Sequence, residues 1–295
     1  MPGKFRIPLQ QDQGIGEANQ LAGQGAGART DLDQGSTGRV GNMPGHHLGH
    51  RPPQEGFKED NQQTDMLISK GRFQLDEAAQ EIYLINQKRV LVYDASTGAY
   101  KRGWGGHGMP LSEVTNKDIS GYKWTGTRPP EEKNFVPNLH FVEISKDRKV
   151  YIGERGQNRI QVFTTEGKWL QDIDVSPNSP AQRGECGGLN AGKPFASPIP
   201  LLFVRSICGT TYKMVISKDP QQKYLFVADA HNDVIWIIER QSGKTLGHFG
   251  GNGRLAGQMT FPNSIGIDTR GNVFVGEVDM GKRIQKFAPV RAGAR

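Results

Sequence analysis

The chain has 295 residues, 35% of them hydrophobic, with a mean hydropathy of −0.59 and a net charge of +7. That is length for one large domain or two small ones. The longest apolar stretch, Ile199-Pro200-Leu201-Leu202-Phe203-Val204, is far short of the roughly 20 residues a membrane-spanning helix needs. The 39 glycines follow no three-residue period, which excludes a collagen-like chain.

The first 60 residues differ from the rest. Gly, Gln and Pro supply 24 of the 60, and apolar residues come singly, with a period of neither 2 nor 3.6. Such a segment buries too little apolar surface to offset its ordering entropy, so it is expected to be disordered or extended. Its Gly45-His46-His47-Leu48-Gly49-His50 tract reads as a flexible polar stretch rather than a metal site. A further reading is that residues 1–60 replace a domain half that relatives possess. The N-terminus as given has no apolar run of about 7–15 residues, so no secretory signal is expected on it, and the compartment stays open. These 60 residues carry 6 basic and 7 acidic side chains, which leaves +8 on residues 61–295. There the basic residues are scattered among acids, as in Lys146-Asp147-Arg148-Lys149, so a nucleic-acid partner is not expected, although anions would be attracted. The two cysteines, Cys186 and Cys208, show no metal-binding spacing. They would bridge one long loop in an oxidising compartment, or remain thiols in a reducing one.

From about residue 72 the chain repeats. Four segments overlay: Ile82–Tyr93, Val150–Phe163, Leu225–Ile238 and Val273–Phe287. Each reads as a short apolar strand, an acidic or amide residue, a polar turn and an alternating strand. A strand and hairpin precede each one, namely Phe73-Gln-Leu-Asp, Val142-Glu-Ile-Ser, Met214-Val-Ile-Ser and Ile265-Gly-Ile-Asp. Three are followed by a further turn and strand, two of which end in similar words, Gly103-Trp-Gly-Gly-His-Gly108 and His248-Phe-Gly-Gly-Asn-Gly253. Four short antiparallel strands, repeated, predict an all-β fold, a β-propeller. The units begin 68, 75 and 48 residues apart, so the first two contain insertions, at about 109–134 and 175–210. The propeller domain is expected over 65–290. Its last unit lacks a good fourth strand, because only Ala-Pro-Val-Arg-Ala-Gly-Ala-Arg follows Phe287. That predicts an open or poorly closed ring with exposed faces near 72–105 and 261–287, and hence self-association.

The words Val150-Tyr-Ile-Gly-Glu154 and Asn158-Arg-Ile-Gln-Val-Phe163, their echo at Arg283-Ile-Gln-Lys-Phe287, and Phe261-Pro-Asn263 resemble NHL-repeat β-propellers, over roughly residues 72–288. The resemblance implies six blades, of which four are legible. The hairpin Ser217-Lys-Asp-Pro-Gln-Gln-Lys-Tyr224 is similar to that of bacterial relatives of the peptidyl-α-hydroxyglycine α-amidating lyases, which are often exported. In that family a channel zinc is held by one His from each of three blades. Five residues before the end of each inner strand, this chain places Gly71, His140, Tyr212 and Asn263. Only His140 is a good ligand, and a catalytic zinc needs about three. No zinc, calcium or other cofactor is therefore expected outside a divergent lyase reading.

Besides His140, Tyr212 and Asn263, the channel-mouth candidates are Arg155, next to the acidic residue of its strand, and His231, in a turn. Glu154, Asp229 and Glu277 share a repeat position and are expected to hydrogen-bond backbone between blades. Trp104, Trp169, Trp236 and Phe249 are expected in outer strands, packing blades together. No Gly-x-Ser-x-Gly, phosphate loop or Ser/His/Asp set is present. The leading expectation is a scaffold that binds a small ligand, peptide or protein at the channel mouth and insertions. A divergent metal-dependent amidating-lyase-like enzyme is the alternative, and RNA binding through a propeller face comes third.

Overall fold

A computed structural model describes residues 72–115, 132–136, 139–181, 208–278 and 281–290. The expected disorder of 1–60 and the centres of both insertions lie outside these residues. The described residues build an all-β propeller of four antiparallel sheets. Blade I contains β1 (Arg72–Asp76), β2 (Glu81–Asn86), β3 (Arg89–Asp94) and β4 (Tyr100–Trp104). Blade II contains β5 (Leu139–Ile144), β6 (Lys149–Glu154), β7 (Arg159–Thr164) and β8 (Trp169–Asp174). Blade III contains β9 (Lys213–Ile216), β10 (Tyr224–Asp229), β11 (Val234–Glu239) and β12 (Thr245–Gly250). Blade IV has three strands, β13 (Pro262–Ile267), β14 (Val273–Glu277) and β15 (Ile284–Phe287). Within each blade, strands follow one another in chain order.

Side chains alternate across a strand, so a sheet with both faces covered offers one set of residues to each neighbour. Three apolar clusters follow from this, one at each junction. Tyr83, Ile85, Val90, Val92 and Trp104 of blade I meet Val142, Val150, Ile152 and Phe163 of blade II. The opposite parity of blade II, Phe141, Tyr151, Ile160 and Val162, meets Met214, Ile216, Leu225 and Val227 of blade III. Ala228 and Ile235 then meet Ile265, Val273, Val275 and Phe287 of blade IV. The first strands pack in series, β1 on β5, β5 on β9 and β9 on β13, which makes them the inner strands.

Among the described residues, β13 and β1 are not a closely packed pair. The outer faces of the terminal blades are correspondingly bare. Phe73 is 67% exposed and Ile284 is 70% exposed, with Leu75 exposed beside Phe73. Both lie in the regions where the sequence predicted uncovered faces. The six blades implied by the NHL resemblance are not reached among the described residues, which form four. Trp104 and Trp169 lie in the outermost strands of their blades, as does Phe249, but Trp236 is in the third strand of blade III.

The shared acids hydrogen-bond backbone in two blades, but within a blade rather than between blades as expected. Glu154 accepts the Val136 amide at 2.7 Å on one oxygen, and Arg159 Nε at 2.6 Å and Gln161 Nε2 at 3.0 Å on the other. Glu277 repeats this with the Thr260 amide, Arg283 Nε and Gln285 Nε2, each at 2.7 Å. The Glu…Arg-x-Gln word thus ties strands two and three of a blade to the segment that leads into its inner strand. Full burial pushes the Glu154 carboxyl up, against the pull of Arg159. Asp229 departs from the pattern. It is one methylene shorter and has no Arg-x-Gln after it, so it accepts from its own turn, at the His231 and Asn232 amides, and from Trp236 Nε1. Asp233 makes the inter-blade tie there, accepting the Phe261 amide at 2.7 Å.

Candidate functional site

The inner strands begin irregularly, and that irregularity positions the site. The β5–β6 pairing runs from Leu139↔Glu154 to Phe141↔Gly153, which leaves His140 on a bulge. The β13–β14 pairing shifts in the same way between Pro262 and Ser264, leaving Asn263 on the equivalent bulge. A bulge re-aims one side chain without disturbing the ladder beyond it. Tyr212 directly precedes β9 and donates its amide to the Ala228 carbonyl at 3.0 Å.

Three of the five candidate residues come together. The His140 ring meets the Tyr212 ring edge-on, with centroids 5.1 Å apart. Arg155, in a 3₁₀ turn after β6, lays its guanidinium 4.2 Å from the Tyr212 ring centroid, a cation–π contact. Arg155 Nη1 donates to His140 Nε2 at 3.4 Å, and Arg155 Nε donates to the Cys208 carbonyl at 2.5 Å. Tyr212 also meets Phe261 edge-on at 5.5 Å, so blade IV reaches the group through Phe261 rather than through Asn263. His231 sits apart, in the turn after β10, where its amide caps Asp229.

Sequence reasoning missed Arg72. It opens β1, and its Nη1 donates to the His140 carbonyl. Its register, one position after Gly71 in the ring, was the available signal. Gly209 is the other omission. Its φ is +82°, and a Cβ there would lie 2.3 Å from the Arg155 carbonyl oxygen. Only glycine lets the end of the second insertion pass so close to Arg155. Cys208, beside it, is disulfide-bonded. This matches the oxidised alternative, and the one other cysteine in the chain, Cys186, lies outside the described residues.

His140 is 9% exposed. Burial, with the Arg72 and Arg155 charges beside it, pulls its pKa down from 6.5 to about 2, so the ring is neutral. The Tyr212 main chain acts in the opposite sense, and Nδ1 has no partner that meets hydrogen-bond geometry among the described residues. Nε2 faces an arginine donor and therefore accepts, which places the proton on Nδ1. The buried Gln157 Nε2 and Thr211 Oγ1, each within two residues of Arg155 or Tyr212, also have no partner among the described residues. A channel zinc does not fit this set: one imidazole, its Nε2 facing a guanidinium, stands where about three ligands are needed. No group of three or more His, Cys, Asp or Glu side chains converges among the described residues.

Neither a protein-family model nor a curated protein matches the sequence. Solved structures do resemble the chain. Hydrazine synthase of Kuenenia stuttgartiensis matches with a TM-score of 0.43 and 12% identity over 80% of this chain and 47% of its own. A protein of unknown function from Bacteroides caccae matches with 0.41 and 10%, over 72% and 58%. A catalytically inactive virginiamycin B lyase from Staphylococcus aureus, solved with quinupristin, matches with 0.39 and 12%, over 76% and 56%. The chain spans about half the length of these structures.

Proposed function

We propose that the chain is a ligand-binding β-propeller scaffold, with its site at the inner-strand ends of blades I–III, formed by His140, Arg155, Tyr212 and Arg72. The observation that supports this most is the convergence of three blades on a buried imidazole whose Nδ1 has no hydrogen-bond partner among the described residues. Buried donors are ordinarily paired, so an unpaired one on a rigid scaffold calls for an outside partner. The described end of the second insertion, Cys208 and Gly209, adjoins the site where the chain returns to β9 through Tyr212. We place the domain at about 65–290, with insertions at about 109–134 and 175–210.

A thermal-shift screen of small molecules against the full chain tests the reading. Ligands found should lose their effect in His140→Ala and Arg155→Gln and keep it in His231→Ala. Hits that depend on His231 and ignore His140 and Arg155 would place the site elsewhere.

A further inference from the structure

The third strand of blade IV repeats that of blade II almost letter for letter, Arg283-Ile-Gln-Lys-Phe287 against Arg159-Ile-Gln-Val-Phe163, with Lys286 where blade II has Val162. We propose that the open edge of β15 receives an extended, acidic segment of a partner protein as a fourth antiparallel strand of the blade. It is a different surface from the His140 cluster, and neither reading depends on the other.

The register identifies the main-chain groups that the edge presents. The Glu277 amide donates to the Arg283 carbonyl at 2.9 Å, so Arg283, Gln285 and Phe287 bond to β14 in alternation. Ile284 and Lys286 therefore turn their N–H and C=O groups outward, where no strand stands among the described residues. In blade II the Val175 amide donates to the Asn158 carbonyl at 2.8 Å, and the same alternation gives Ile160 and Val162 to β8. Those two are buried, whereas Ile284 and Lys286 are exposed. The flank of the edge is repeated as well. Phe249 of β12 packs on Phe287 with ring centroids 4.8 Å apart, as Trp104 of β4 packs on Phe163 at 5.8 Å. Three residues beyond Trp104, His107 holds β8, stacked on Trp169 at 4.4 Å and bonded to Asp172 at 2.9 Å. Its counterpart beyond Phe249, Asn252, is exposed. Blade IV thus reproduces the setting that holds β8, without the strand among the described residues.

Charge selects the occupant. Lys286 and nearby Lys282 are exposed, and neither has an ion pair among the described residues. The one carboxylate in β13–β15, Glu277, is buried, on the opposite face from Lys286. A second copy of β15 would add lysines to the same face with no acid to meet them, and lysine on an edge suppresses such pairing. A strand with an acid opposite Lys286 and a β-branched residue opposite Ile284 gains an ion pair and an apolar pair. The main-chain bonds supply the rest of the affinity.

The probe is a blocked peptide, Thr-Glu-Thr-Ile-Thr-Glu-Thr, titrated against the full chain, with hydrogen exchange at the Ile284 and Lys286 amides as the readout. Both amides should exchange freely in the chain alone, and saturating peptide should slow them at least about tenfold. An analogue with lysine for both glutamates should bind about tenfold more weakly, and Lys286→Glu should reverse that preference. Ile284→Pro removes an outward N–H and no bond to β14, so it should abolish the protection of Lys286 while the β14 amides stay protected. Protection already present in the chain alone would overturn the proposal, through a second copy if it grows with concentration and through the chain itself if it does not. So would a peptide that binds the native chain and Ile284→Pro equally, which is charge attraction without strand pairing. Failure of the glutamate peptide to bind would overturn it too.

Discussion

Blades II and IV share nearly the same words, Val150-Tyr-Ile-Gly-Glu154 and Val273-Phe-Val-Gly-Glu277, and the same Glu–Arg–Gln tie, yet they are buried differently. In β6 every residue from Val150 to Glu154 is buried, whereas in β14 burial alternates, with Val273, Val275 and Glu277 inside and Phe274 and Gly276 part-exposed. The word sets the strand, while the place in the series decides whether one face or two is covered. Repeat architectures store much of their stability in such nearest-neighbour contacts. The His140 site accordingly stands on the blades that have neighbours on both sides, II and III, and reaches toward the ends of the series only through Arg72 and Phe261.

Paired substitutions can break or sharpen this contrast. The largest gap is expected between Phe141→Ala, which empties a fully buried position between blades II and III and should cost about 3–5 kcal/mol, and Ile284→Ala on the bare face of blade IV, which should stay within about 0.5 kcal/mol. Urea unfolding of both variants measures it. Next is Glu154→Gln, at about 3 kcal/mol, because Arg159 is almost completely buried, loses the fully buried one of its two carboxylates and keeps the part-exposed Asp172. Glu277→Gln should cost less, since its partner Arg283 keeps contact with solvent and three backbone carbonyls. Gly153→Ala would bring a Cβ to 2.1 Å from the Phe141 ring and should cost about 1–3 kcal/mol. At the equivalent Gly276 a Cβ meets only the exposed Ser264 side chain, at 3.3 Å, and the change should be near neutral by the same measurement.

The pH dependence gives a smaller effect. His140 binds fewer protons folded than unfolded between pH 6.5 and about 2, so its contribution is complete above pH 6.5 and is lost as pH falls below it. Glu81, held down to about 2 chiefly by Arg102, acts in the same direction but only below pH 4.5. Between pH 7 and 5 the loss due to His140 should be about 2 kcal/mol, and His140→Gln should remove that part of the difference in urea stability. An unchanged difference would mean that the ring is protonated or solvated in the folded chain.

Much of the fold was legible because its signals are local. Tyr83, Tyr151, Phe226 and Phe274 mark the second strand of each blade. The cluster around His140 was legible in part. His140 and Tyr212 emerged from repeat register, and Arg155 from its place beside Glu154. The bulge that turns His140 was hidden, because it is a mismatch between two strands rather than a word in one. Arg72 and Gly209 were hidden for a related reason: each acts on a residue more than 50 positions away, and neither carries a repeated pattern. Asp229 looked equivalent to the two glutamates, but the absence of a following Arg-x-Gln gives it a different task.

Native-state hydrogen exchange tests most directly the claim that neighbours, not words, set the rigidity on which the site is mounted. Amides of β6 and β7 in blade II should exchange only at the free energy of global unfolding, and those of β1 and β15 at a value lower by more than about 1 kcal/mol. Equal protection of β15 and β6 would show that both terminal blades have covered faces, and would contradict the account.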